Sequence, residues 1–378
     1  MSKNASWIQT IIFAAFITIV LMLFITIPDK NNSEQENREL SQMPELSFSA
    51  LFYDDFTEKF ETYISDQFPF RDKWITVKAR CELLSGKKEN KGVFLCEGDT
   101  LIEAYSEPDY QLLDTNIKAV KNLADNIERP VFFALIPGPS EVNSPMLPKN
   151  APNYSQKEII DYCYKRSGAL NIDILSPLLL HSDEYIYYRT DHHWTGLGAY
   201  YGYEALMGAM GYSATPLSSY NSSNISDEFY GTTYSKSGIT WVKPDTIEIF
   251  AEEKASTQVV NYISGDSEKS SMYEYDHLDK KNKYAVFMGG ISPLISITTE
   301  NTDAPSLLIV RDSYIDSLAP YLQNNFSEIY LMDIRYYKAQ LMQSSIRDFI
   351  NDNQIDEVLI CYSVNNFSTD NNVFLLGM

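Results

Sequence analysis

The chain has 378 residues, 44% of them hydrophobic, enough for one large domain or two smaller ones with a substantial core. A formal net charge of −21 argues against a nucleic-acid partner, which needs a basic face, and sets the bulk of the chain against an anionic membrane surface. Cys81, Cys96, Cys163 and Cys361 show no CxxC spacing, so neither zinc nor thioredoxin-like chemistry is indicated, and most are expected to be buried thiols.

In chain order, Ile8 to Ile27 is a run of 20 residues without a charge, long enough to cross a bilayer as a helix. It is longer than a signal-peptide core, and no small-x-small cleavage site follows. Residues 1–28 are therefore expected to be a cytoplasmic tip and uncleaved signal anchor, with the bulk of the chain extracytoplasmic. Residues 29–45 are polar and read as a linker, which leaves 46–378 as the folded body. Phe56, Phe60, Tyr63, Ile64 and Phe68 share one helical face, and Pro69 breaks that helix. Val93–Leu95 and Thr100–Ile102 read as a hairpin turning at Gly98.

From about residue 110 helices and strands alternate. Helices are expected over 114–127, 156–166, 196–210, 315–324 and 338–350. Strands are expected over 131–136, 170–175, 185–190, 307–310, 329–332 and 357–361. Such alternation indicates a parallel sheet with helices on both faces. Residues 211–300, rich in Ser, Asn, Thr and Tyr, break the rhythm and read as a β- and loop-rich insertion.

The chemistry concentrates in Thr190-Asp191-His192-His193-Trp194. In an extended segment, side chains two apart leave the same face, so Asp191 and His193 converge while His192 points away. An Asp orienting a His lacks only an activated hydroxyl to make a catalytic triad. Ser313, just beyond the apolar run 306–310, offers it from the start of a helix. The plain alternatives are an N-cap serine and a structural Asp–His contact. A metal is not expected, because adjacent histidines in a strand diverge, and no cofactor is expected either.

Thr190, Asp191, His193 and Trp194, followed far downstream by Asp312, Ser313 and Tyr314, resemble the signature of the DHHW family, similar to a branch of the alginate O-acetyltransferases with an SGNH-hydrolase-like domain. Asp66-Gln67-Phe68-Pro69-Phe70-Arg71, 229–233, 235–238, 284–290 and 333–337 also look familial. The resemblance implies a flavodoxin-like SGNH core, circularly permuted so that the serine follows the Asp-His segment. It implies Ser313 as nucleophile, His193 as base and Asp191 as its orienter. It also implies a polysaccharide substrate and a membrane-bound O-acyltransferase as acetyl supplier. The oxyanion hole is less defined: Gly289 and Gly290 are candidates for backbone donation, Arg335 for a sugar carboxylate or the oxyanion, and Asn365 and Asn366 stay open. The expected activity is O-acetyl transfer. An acetylesterase with the same triad and a non-catalytic polysaccharide-binding or assembly protein on the same scaffold are the alternatives.

Overall fold

The computed structural model describes residues 3–33, 35–36, 38–46, 56–252, 257–262, 267–341 and 344–378. The chain forms two compact units, Met1–Asn90 with Ser235–Thr240, and Lys91–Tyr234 with Trp241–Met378.

The first unit opens with α1 (Lys3–Thr26). Its segment Trp7–Thr26, with a mean hydropathy of 2.7 and no buried share, is long and apolar enough to cross a membrane. Two further helices follow, α2 (Phe56–Asp66) and α3 (Arg71–Leu84). The break between them is made by Pro69 and by Phe70, whose φ of 58° lies in the left-handed region. Asp66 at the end of α2 is buried and accepts hydrogen bonds from Arg38 Nη1 (2.9 Å), Arg38 Nη2 (2.5 Å) and the Ser41 N–H (2.9 Å). The polar stretch after α1 is thereby tied down.

The Arg38 hydrogen bonds hold the Asp66 carboxyl at about 2, below its ordinary 3.8, in spite of burial. A carboxyl lowered on folding contributes stability fully above its unfolded value, and that contribution is lost as pH falls through the folded value. The window is therefore about pH 4 down to about pH 2. Arg38 is 40% exposed, so screening reduces the contribution to about 1–2 kcal/mol. Arg38→Ala is expected to flatten the loss of thermal stability across that window, read by melting curves of the full chain at successive pH values.

The second unit begins with the hairpin β1 (Val93–Leu95) and β2 (Leu101–Glu103), with Gly98 at φ 70° between them. Next come α4 (Tyr110–Asn126), β3 (Val131–Ile136), α5 (Gln156–Tyr164), β4 (Leu170–Ile172), α6 (Leu175–Leu180) and α7 (Gly196–Met210). An antiparallel pair, β5 (Asn221–Phe229) and β6 (Asp245–Ala251), is followed by β7 (Thr257–Tyr262), β8 (Ser267–Lys269) and β9 (Leu294–Thr299). The last part holds β10 (Ser306–Arg311), α8 (Tyr314–Leu318), β11 (Glu328–Met332), α9 (Ile334–Gln340), α10 (Ile346–Asp352), β12 (Glu357–Ser363) and α11 (Val364–Thr369).

Eight strands form one sheet in the order β8-β7-β9-β11-β10-β12-β3-β4. From β11 to β4 all neighbours are parallel, and β9, β7 and β8 extend the sheet antiparallel. This is a flavodoxin-like, SGNH-hydrolase-like sheet with helices on both faces. Leu307–Val310 of β10 are fully buried, as are Phe133–Ile136 of β3 and Val358–Tyr362 of β12. Parallel strands covered on both faces read as unbroken apolar runs for this reason. The loop after β10, in mid-sheet, is where the carboxyl ends of parallel strands offer a ligand site.

Four elements differ from their expected form. The single helix over 338–350 is two helices, because Ser345 and Asp348 form a capping box that starts α10 afresh. The strand expected over 170–175 stops at Ile172, and Leu175 already begins α6. The helix after Ser313 is only five residues long and passes into a 3₁₀ turn, Ala319–Asn324, with Pro320 in its first turn. Residues 185–190 are not a strand: only Tyr187 bridges, to Trp194.

Candidate functional site

Tyr187 and Trp194 pair at the base of a tight turn, with hydrogen bonds from Tyr188 N–H to His193 O (3.2 Å) and from Thr195 N–H to Ile186 O (2.9 Å). Asp191, His192 and His193 occupy its tip. The turn is anchored by buried Asp245, which accepts from Arg189 N–H (2.9 Å), Thr190 N–H (2.8 Å) and Thr190 Oγ1 (2.5 Å). Trp194 locks the other side: its Nε1 donates to Tyr314 O (2.9 Å) and to Ser317 Oγ (3.0 Å). Its ring lies so close to α7 that a Cβ at Gly202 would sit 2.7 Å from it.

Within this frame His193 Nδ1 is 2.5 Å from Asp191 Oδ1, and His193 Nε2 is 2.8 Å from Ser313 Oγ. A carboxylate only accepts, so Nδ1 carries the proton and Nε2 is left to accept from the serine hydroxyl. Asp191 Oδ1 also accepts the His193 N–H (3.0 Å), while Oδ2 accepts Thr232 N–H (2.6 Å) and Thr232 Oγ1 (2.9 Å). Burial would raise the Asp191 carboxyl, but His193, His192 and the Thr232 N–H together hold it well below the carboxylate range. Tyr284 stacks flat on the His193 ring, with centroids 3.9 Å apart and planes at 10°, and its hydroxyl donates to Ser313 O (3.1 Å). His193 is 5% exposed and Asp191 2%, whereas Ser313 is half-buried.

His192 does not diverge from its neighbour as an extended strand would require. The chain bends through 189–193, and the two imidazoles lie 3.8 Å apart. Asp191, His192 and His193 thus offer ligand atoms within 4.8 Å of one another. Those atoms already serve protein bonds: both His193 nitrogens as above, and His192 Nδ1 to Thr232 Oγ1 (2.6 Å). The donor set fits a relay between side chains better than a metal centre.

A family profile described as DHHW protein matches residues 87–332, about two thirds of the chain. The chain belongs to the DHHW family. It is similar to a solved DHHW family protein from Eubacterium siraeum DSM 15702, with 26% identity, a TM-score of 0.66, and coverage of 76% of this chain and 95% of that one. It also shares its fold with PatB1 of Bacillus cereus, solved with a sulfonyl adduct, at 19% identity and a TM-score of 0.62, over 75% of this chain and 98% of that one. No curated protein matches it.

Gly289 and Gly290 have φ of 72° and 90° in the loop before β9, where Gly289 faces Tyr262 and Glu274. Arg335 turns back on its own helix cap, with Nε 2.8 Å from Asp333 Oδ1 and Nη2 2.5 Å from Asp333 Oδ2. Asn365 is exposed. Asn366 donates from Nδ2 to Asp312 Oδ2 (2.8 Å), beside the serine.

Asp312, read from sequence only as part of a motif, is a buried junction. Its Oδ2 also accepts Ser363 N–H (2.8 Å) and Ser363 Oγ (2.7 Å), and its Oδ1 accepts Tyr314 N–H (3.1 Å). It therefore ties the ends of β10 and β12 together on either side of Ser313. Asp312→Ala strands these donors in the interior, and each buried orphan costs about 1–3 kcal/mol. A loss of at least about 3 kcal/mol is expected in denaturant unfolding of the second unit's core transition. Sequence carried no signal for Asp245 or for the stacking of Tyr284, since both act across more than 50 residues of chain.

Proposed function

We propose that this DHHW protein is an extracytoplasmic O-acetyltransferase acting on a cell-surface or exported polysaccharide. In this reading residues 1–28 anchor it, 29–45 connect the anchor, and 46–378 form the catalytic body with an insertion at about 211–300. The observation that supports it is the hydrogen-bonded series Asp191–His193–Ser313, with separations of 2.5 and 2.8 Å. Ser313 Oγ attacks the acetyl carbonyl of the donor while its proton passes to His193 Nε2. Asp191 holds Nδ1 and stabilises the imidazolium. The tetrahedral intermediate expels the donor's leaving group, which takes the proton from Nε2, and acetyl-Ser313 remains. A sugar hydroxyl then attacks, giving its proton to Nε2, and collapse returns that proton to Ser313 Oγ. Tyr284 covers one face of the imidazole and excludes water there, which favours a sugar hydroxyl over hydrolysis. A membrane-bound O-acyltransferase would supply the acetyl group.

The test is the acetyl content of the surface polysaccharide in cells carrying the wild-type chain or Ser313→Ala. Transfer predicts a fall in the variant. A rise identifies an esterase, and equal content excludes a role in either direction.

A further inference from the structure

We infer that the outward face of α3 is a docking surface for anionic lipid headgroups in the leaflet from which α1 emerges. The inference rests on the proposed reading of α1 as a membrane anchor. The chain as a whole is strongly acidic, yet residues 71–90 carry six Lys and Arg against three Asp and Glu. Their distribution is one-sided. The exposed positions of α3 include Lys73, Trp74, Val77, Lys78, Arg80 and Leu84, all basic or apolar. The acidic residues of the helix, Asp72 and Glu82, lie among the half-buried positions.

The inner side of α3 already has its cover. Ala79 is fully buried, Thr76 Oγ1 lies 3.2 Å from Thr240 Oγ1, and a Cβ at Gly238 would meet Ile75 Cγ2 at 2.7 Å. The outer side remains apolar nonetheless: Trp74 is 47% exposed, Val77 48% and Leu84 87%. Apolar side chains with an indole among them, flanked by long cations, suit the headgroup boundary, where the ring sits at the interface and the ammonium groups reach phosphate.

The same unit holds this helix beside the end of α1. Phe24 near that end meets the Tyr63 ring edge-on at 5.8 Å, and Tyr63 OH donates to Asp29 Oδ2 (3.1 Å). Gln67 then pairs with both backbone groups of Lys30, accepting from its N–H (2.9 Å) and donating to its carbonyl (2.9 Å). Gln67 lies four residues before the start of α3, so the basic-apolar face begins close to where the apolar span stops. The Asp66-Gln67-Phe68-Pro69-Phe70-Arg71 motif thereby links the two helices to the end of α1. It clasps the chain leaving α1 and turns α3 against the lipid surface.

The test uses the full chain with Cys96→Ser and a polarity-sensitive fluorophore on Cys81, which is exposed on α3; Cys163 and Cys361 are buried. It is reconstituted into phosphatidylcholine vesicles with or without phosphatidylglycerol. Expected with phosphatidylglycerol are shielding of the probe from aqueous acrylamide and quenching by spin-labelled lipid, both reversed by high salt. Lys73→Gln and Lys78→Gln should each lower the docked-to-undocked ratio about fivefold. A chain that floats with both vesicle types while its probe stays equally open to acrylamide overturns the inference. So does shielding by an added acidic polysaccharide but not by phosphatidylglycerol. A chain that floats only with phosphatidylglycerol, with its probe shielded, supports the surface and sinks the anchor reading, and one that floats with neither sinks both.

Discussion

Ser313→Ala is expected to slow acetyl release from an activated acetyl ester by about six orders of magnitude, to a rate still about 10³–10⁴ above that in water. The reason is local. Ser313 Oγ is the hydroxyl held 2.8 Å from His193 Nε2, and removing it leaves an imidazole with nothing to deprotonate except water. The residual rate reflects binding and backbone polarisation alone. The fold should survive, because Ser313 makes no side-chain cap bond to α8 and its half-buried side chain leaves only a small gap. A sulfonyl fluoride provides an independent readout. The wild type should gain one covalent adduct on Ser313, visible by mass spectrometry, and the variant none. An alanine variant that turns over the ester at the wild-type rate would falsify the nucleophile assignment.

The second large effect is expected at Asp191. Asp191→Asn keeps the shape but presents an amide N–H toward His193 Nδ1, which favours the tautomer with its proton on Nε2. That nitrogen can then no longer accept from Ser313, and a loss of about 10⁴ in kcat follows. Because the carboxyl is held well below its ordinary range, its protonation does not enter near-neutral pH. The wild-type acid limb therefore should not follow Asp191. The position is also fixed by Gly231: a Cβ there would lie 2.2 Å from Asp191 Oδ2 and Cβ. Gly231→Ala must push the carboxylate aside, and a displacement near 1 Å costs about 10² in rate. Both variants disturb the buried site, the asparagine by taking an acceptor from the His193 N–H and the alanine by a steric conflict, so their rates are compared at equal folded fraction. Full activity in Gly231→Ala would show that the carboxylate does not need its present position.

Much of the sheet was legible from residue order because its physics is local. Val131–Ile136 matches its expected span, and Leu307–Val310 falls within the observed β10. Strands buried on both faces must be apolar throughout, and such runs are hard to mistake. Gly196–Met210 was equally plain, with Thr195 as its cap and Gly211 in the left-handed conformation at its end. Sequence pattern and structure part where a short-range signal competes with periodicity. Ser345 and Asp348 restart a helix inside an apolar pattern that looked continuous. Aromatic residues 185–190 looked β-prone but form a turn, because buried Asp245 gathers the backbone N–H groups of Arg189 and Thr190 that a strand would have offered to a neighbour.

By itself, the order of residues determined the central buried strands over 131–136 and 307–310, where the long apolar helix lies, and that Asp191 and His193 are near neighbours along the chain. These follow from periodicities of two and 3.6 residues and from adjacency in the chain. Only the tertiary structure decided that Ser313, 120 residues away, meets His193, that Asp312 binds the ends of β10 and β12, and that Tyr284 lies flat on the imidazole. Such contacts depend on which strands become neighbours. That choice is made by the packing of the whole core rather than by any stretch of sequence within it.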